Sequence, residues 1–166
     1  MPDDASLHDR DWYAWTQDQA ARLRAWPEHL RPNGLDLEEV AEEIESLGKS
    51  DSRAITSFLR LIALHALKLE FHPATEFAGH WRKEIREFRN ALGRLFEESP
   101  SLLAQRETLF AKAWREVRRE FVQDLEDDAP AAARRFAASL PVDAAAPYDL
   151  DSQILNEDWF PAPRAA

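Results

Sequence analysis

An all-α fold is predicted by three observations. From Phe58 to Phe71 ten of fourteen residues are apolar, and a helix apolar on nearly every face has to be enclosed by other elements. Trp81, Ile85, Phe88, Leu92 and Leu95 recur at four, three, four and three, the seam of a helical bundle. Asp36-Leu-Glu-Glu39 and Ser99-Pro100 are helix-start signals, a cap with glutamate at the third position and a cap followed by proline at the first. The resulting expectation is a bundle of five to six helices around a buried central helix, with a docked C-terminal segment. With 166 residues and 45% hydrophobic content, one domain is expected, since a chain of this size buries about 70% of its unfolded surface. Residues 9–161 form its ordered core and docked tail, and 1–8 and 162–166 are expected to be flexible.

Taken in order, the first helix starts at Asp9 or Asp11 and stops near Trp26, before Pro27. Trp12, Trp15, Leu23 and Trp26 share one face and read as a core stripe. Arg31–Gly34 is loop chemistry. A short second helix opens at Asp36 and is expected to end at Gly48, burying Leu37, Val40, Ile44 and Leu47. The central helix, Ala54 to His72, follows and closes before Pro73; its charges at Arg60, Lys68 and Glu70 interrupt it too often for a membrane span.

The fourth helix runs from Phe77 or His80 to Glu98, with Arg82, Arg86 and Arg89 on the face beside its seam. Gly93 costs it roughly 1 kcal/mol against alanine, which a close helix crossing there would explain. The fifth helix carries Phe110, Trp114, Val117, Phe121 and Leu125, and a sixth runs from Pro130 to about Ala138. Pro141 to Pro147 is a low-complexity linker. Beyond it Tyr148, Leu150, Ile154, Leu155, Trp159 and Phe160 are too many large apolar groups for a free acidic tail, so the segment is expected to dock.

Charge and composition narrow the function classes. The formal charge is −10, which disfavours general nucleic-acid binding. There is no cysteine, which removes disulfides, a thiolate nucleophile and cysteine-ligated metals. The N-terminal residues carry acids where a signal peptide carries bases, and a cytoplasmic location without membrane attachment is expected.

Chemistry-bearing motifs are sparse. His65 and His72 share a face but stand about 10 Å apart along the axis, too far to chelate one metal, and no Glu-x-x-His occurs. His65 reads instead as a hydrogen-bonded core histidine. No Gly-x-Ser-x-Gly elbow or phosphate-cradling glycine loop is present. No cofactor is expected. What remains is electrostatic: residues 36–48 hold six acids and no base, and the arginines line the fourth helix. Glu42, Glu43 or Glu45 could pair with Arg82, Arg86 or Arg89 and set the register of the bundle. The alternative is that one surface awaits a partner, a basic protein at the glutamates or an anion at the arginines.

The segments DWYAWTQDQAARLR, LDLEEVAEEIESLGKS, HALKLEF, HWRKEIREFRNALGRLFEESPSL and PYDLDSQILNEDWFP, in that order and spacing, resemble the bacterial family named domain of unknown function 29 over about residues 9–161. The resemblance implies an all-α fold in bacterial proteins and no established activity, so it assigns no catalytic residue. The sequence departs from the family pattern in the alanine-rich stretch Ala129–Ala146 and in having Ala146 where a cysteine often precedes Pro-Tyr. The leading expectation is a non-enzymatic interaction or accessory module acting on a protein partner or a second copy of the chain. A small-anion or nucleotide-binding module using the arginines comes second, and a metal-dependent helical-bundle enzyme third.

Overall fold

The computed structural model describes residues 6–141 and 144–164; the flexibility expected of residues 1–5 and 165–166, and the middle of the Pro141–Pro147 linker, lie outside them. Within the described residues the secondary structure is entirely helical. None of the helices is long and apolar enough to cross a membrane. Two compact units divide the chain, Met1–Ile55 with Arg94–Arg106, and Thr56–Gly93 with Glu107–Ala166.

In the first unit a single turn, α1 (Leu7–Arg10), precedes α2 (Trp12–Arg24). The break falls at Asp11, whose extended backbone (φ −158°) lets its carboxylate accept the Ala14 amide at 2.9 Å, an ordinary N-cap. Asp11 also accepts the amide (2.7 Å) and the hydroxyl (2.8 Å) of Ser101 in α5 (Pro100–Ala104). Ser99, in turn, makes no cap bond to its own helix, and its hydroxyl accepts the Tyr13 amide of α2 at 3.1 Å. The two helix starts thus exchange caps, each satisfying amides that its own helix leaves without partners.

The glutamate-rich segment and the central helix are one element, α3 (Leu37–Phe71). The expected stop at Gly48 is corrected: a Cβ there would lie 2.1 Å from the Thr16 hydroxyl and 3.2 Å from the Tyr13 ring. Glycine marks a close crossing of α2 over α3, and the crossing expected at Gly93 is absent, since nothing lies within 4 Å of a Cβ at that position. The buried face of α2 is correspondingly Thr16 and Ala20, not tryptophan. Trp12 and Trp15 are half-buried and stack with centroids 5.2 Å apart, and Trp26 is 44% exposed. On α3 the expected stripe is also displaced: Leu37 and Ala41 are buried, Val40 and Ile44 are half-buried, and Leu47 is 52% exposed. Small side chains at the crossing let two backbones approach, and Leu47, beside Gly48, is rotated outward.

In the second unit the later part of α3 is the axle. Ile62 through Leu67 are six consecutive buried residues, which a helix achieves only when covered on every side. Around it lie α4 (Ala78–Glu98, as far as Gly93), α6 (Arg106–Asp128) and α7 (Pro130–Ser139). All five expected α6 residues are buried, and Phe136 of α7 meets Phe121 edge-on at 4.8 Å and Phe71 at 5.0 Å. Arg60–Glu120 and Lys68–Asp124 (2.7 Å) fasten α3 to α6. The α4 seam is shifted by one position where Arg89, instead of Phe88, takes the buried place between Ile85 and Leu92. The tail is docked: Tyr148, Leu150 and Ile154 are buried, and Leu150–Ile154 form a π-helical turn capped by Asp149, which accepts the Ser152 amide at 2.7 Å.

Candidate functional site

Arg89 explains how the tail is held. Its Nε donates to the Ile154 carbonyl (2.8 Å), one terminal nitrogen to Gln153 (3.0 Å), and the other to Trp159 (3.0 Å) and Glu157 (3.4 Å). All four acceptors are backbone carbonyls, so the planar donor fork clamps the chain path instead of a side chain. Burial brings this guanidinium down to about 10, opposed by Glu157 and assisted by Arg86, and it stays charged at neutral pH. Phe160 then sits against all three arginines, with its ring centre 5.4 Å from Arg82 and 5.2 Å from both Arg86 and Arg89, within cation–π range. Arg82 and Arg86 are exposed, and among the described residues no carboxylate is within ion-pair distance of either. Arg86 and Arg89 line a recess of about 250 Å³ with Asn90, Glu157 and Asp158, a wall of mixed sign.

At its far end the tail closes on Glu70 of α3. The Tyr148 hydroxyl donates to one carboxylate oxygen and Arg164 Nε to the other, both at 2.6 Å, and the Arg164 amide bonds the Glu70 carbonyl at 2.8 Å. Burial first, then Glu70, pushes the Tyr148 phenol above its ordinary range. Arg164, in a stretch expected to be flexible, is thereby tied down.

The glutamates lie in the first unit, and each charged set has partners inside its own unit. Glu45 receives Arg24 at 3.0 Å and Lys49 at 3.0 Å, and Glu38 receives Arg24 at 2.9 Å. Glu45 is thus engaged by Arg24 of α2 and by Lys49, and Arg89 by the tail carbonyls. Glu39, Glu42 and Glu43 are exposed, and among the described residues none of them has a cation within ion-pair distance. Glu39 and Glu43 flank a shallow groove of about 340 Å³ floored by Val40, Ile44 and Leu47.

His65 is the core histidine expected of it. Nδ1 faces the Leu61 carbonyl at 2.7 Å and Nε2 faces Glu84 at 2.8 Å. A carbonyl only accepts, so Nδ1–H donates to it and the Nε2 contact requires a proton between imidazole and carboxylate. Burial lowers the imidazole's pKa, and Leu61 and Glu84 oppose that. Among the described residues no group of three His, Asp or Glu side chains is arranged to hold a metal ion.

These features define an all-helical protein whose C-terminal segment is clamped on its helices and whose acidic helix face is open. Residues 7–160 match the domain of unknown function DUF29, and the chain belongs to that family. It is similar to an alpha-helical protein of unknown function from Rhodospirillum rubrum, known from a crystal structure, at 27% identity and a TM-score of 0.69 over 94% of this chain and 93% of that one. No curated protein matches it.

Proposed function

We propose that this is a non-enzymatic accessory module of the bacterial cytoplasm that docks a basic, amphipathic helix on the first half of α3. The observation that carries this reading is the groove of Val40, Ile44 and Leu47, an apolar strip left open on a helix whose adjoining face is buried, with glutamates on its flank that lack cations. A partner helix supplying apolar groups at i, i+3, i+4 and i+7 fills such a strip, and lysines or arginines along its edge meet Glu39 and Glu43. A second copy of the chain fits less well, because it would set those glutamates against their own equivalents. The test is titration of a labelled Lys-rich amphipathic helical peptide into the protein. Binding should weaken with salt and fall at least about tenfold, or 1.4 kcal/mol, in Ile44→Ser and in Glu39→Gln/Glu43→Gln. Equal binding by these variants, or self-association through the same face in sedimentation, overturns the assignment.

The second reading, an anion site at the arginines, is supported by the exposure of Arg82 and Arg86 without carboxylates. It is weakened by the engagement of Arg89 and by Glu157 and Asp158 in the same recess. Phosphate that raised the melting temperature of the wild type and not of Arg82→Met or Arg86→Met would favour it.

A further inference from the structure

In the second unit the C-terminal end of α3 brings together three features that suit a cation. The Glu70 carbonyl has no partner in its own helix, because the amide that would reach it, on Ala74, donates to His72 Nδ1 at 3.1 Å instead. It is one of the orphan acceptors of a helix C-terminus, where the dipole adds partial negative charge. The Glu70 carboxylate, 11% exposed, stands beside it, and the Phe71 ring comes next in the chain. All three are taken by one residue. The Arg164 amide bonds the carbonyl at 2.8 Å, its Nε bonds the carboxylate at 2.6 Å, and its guanidinium carbon lies 4.7 Å from the centre of the Phe71 ring. The main chain, the charge and the flat face of an arginine are each engaged. Tyr148 donates to the second carboxylate oxygen at 2.6 Å and fixes its orientation.

This resident is lightly held. Pro161, Ala162 and Pro163, which carry Arg164 to the site, make no hydrogen bond among the described residues, and the two prolines have no amide to give. They pass a hollow of about 610 Å³ lined by Tyr148, Gln153 and Trp159 among others, so the strap bridges this space instead of filling it. Arg164 is 61% exposed and donates through Nε alone; its two terminal nitrogens bond nothing among the described residues, where a fully engaged arginine makes paired bonds. The Arg89 clamp ends at Trp159, so the strap can lift while the rest of the tail stays docked. Proline-rich segments are extended before they bind, which is why short ones dock on aromatic surfaces at low entropic cost. A Pro-Ala-Pro-Arg strap has the chemistry of such a ligand.

We propose that the end of α3 is a recognition site for an arginine on an extended, proline-containing segment of a partner protein, and that Arg164 occupies it in cis as a displaceable resident. The probe is the peptide acetyl-Pro-Ala-Pro-Arg-amide, with a second peptide carrying citrulline, which keeps the shape of arginine and lacks its charge. In NMR titrations of the full chain, Arg164→Ala should bind the arginine peptide with a Kd on the order of 1 mM or below. The wild type should bind it at least about threefold more weakly, since its own strap competes at a high effective concentration. Citrulline should cost at least about tenfold in affinity for Arg164→Ala. Glu70→Gln added to Arg164→Ala keeps an acceptor for the Tyr148 hydroxyl and should abolish the preference for arginine over citrulline. No binding by Arg164→Ala at about 10 mM peptide, equal binding of the citrulline peptide, equal binding by the wild type and Arg164→Ala, or a preference for arginine that survives Glu70→Gln overturns the proposal. So does a wild-type dimer in sedimentation that Arg164→Ala dissociates, because the occupant would then be the strap of a second copy.

Discussion

Between Leu37 and Ile55 helix α3 buries one face, closed at Ala41 and Gly48 by small residues, and leaves Leu47 open, whereas between Leu59 and Leu69 it is enclosed, largely by large apolar residues. The same helix is a wall in one unit and an axle in the other. A wall needs close approach on one side only, so Gly48 and Ala41 face the neighbour and Leu47 turns away. An axle is packed on nearly every side, so apolar residues run almost all round it, broken at Arg60 and Lys68, whose ion pairs reach α6.

The comparison is broken or sharpened most strongly by putting one charge on each half. Ile62→Asp is expected to abolish the cooperative urea transition, since it buries an unpaired carboxylate at a fully enclosed position. Leu47→Asp is expected to shift stability by no more than about 0.5 kcal/mol. If the two variants lose comparable stability, the distinction between wall and axle is wrong.

Next in size is the pair of arginines. Arg89→Met should cost about 2 to 4 kcal/mol by stranding tail carbonyls, with a gain in binding of an apolar dye as the tail loosens. Arg24→Met removes one exposed and one half-buried ion pair in the first unit and should cost less, as solvent and salt still screen such pairs. A smaller loss at Arg89 than at Arg24 would mean that the tail is held by its apolar residues and its bonds to Glu70, not by the Arg89 clamp.

The glycines give a third, opposed pair. Gly48→Ala should destabilise by about 1 to 3 kcal/mol through the clash with Thr16, while Gly93→Ala should stabilise by roughly 0.5 to 1 kcal/mol through helix propensity. Thermal melts that rank them the other way would place the close crossing elsewhere. Smallest is Asp11→Ala, expected to cost about 1 to 2 kcal/mol because one side chain serves two helix starts, against a lesser effect of Asp149→Ala, which caps only the π turn.

The legible parts of the fold were those in which one pattern has one cause. The apolar run of the central helix, the stripe from Phe110 to Leu125, a helix start at Asp9 or Asp11, which the structure narrows to Asp11, and the docking of Tyr148, Leu150 and Ile154 all follow from burial of large side chains or from a capping geometry. Gly48 was misread because helix ends and close crossings both call for glycine, and the sequence does not carry the identity of the neighbour, Thr16. The tryptophans of α2 were placed inside by their size, yet a crossing as close as that at Gly48 excludes them. Of the candidate site residues, the arginine stripe was visible as charge spacing, but its targets were not: carbonyls belong to every residue, so nothing in the sequence of the tail marks it as the substrate of a clamp. The accessible side of Val40 and Ile44 was hidden for the reverse reason, since an apolar stripe reads as core until its neighbours are known.

The exchange of caps between Asp11 and Ser99 has a consequence for the order of events during synthesis. The first unit is discontinuous: the chain leaves it after Ile55 and returns at Arg94. The bonds from Tyr13 to Ser99 and from Ser101 to Asp11 close loops of 86 and 90 residues. Such closures are paid in chain entropy before their contacts form, and they slow folding relative to local helix formation. A nascent chain that has emerged only as far as Gly93 holds Asp11 with one helix start to serve, and the Tyr13 amide without the Ser99 hydroxyl. The N-terminal fifty-five residues must therefore wait for residues 94–106, by which time every residue of the axle has already been made.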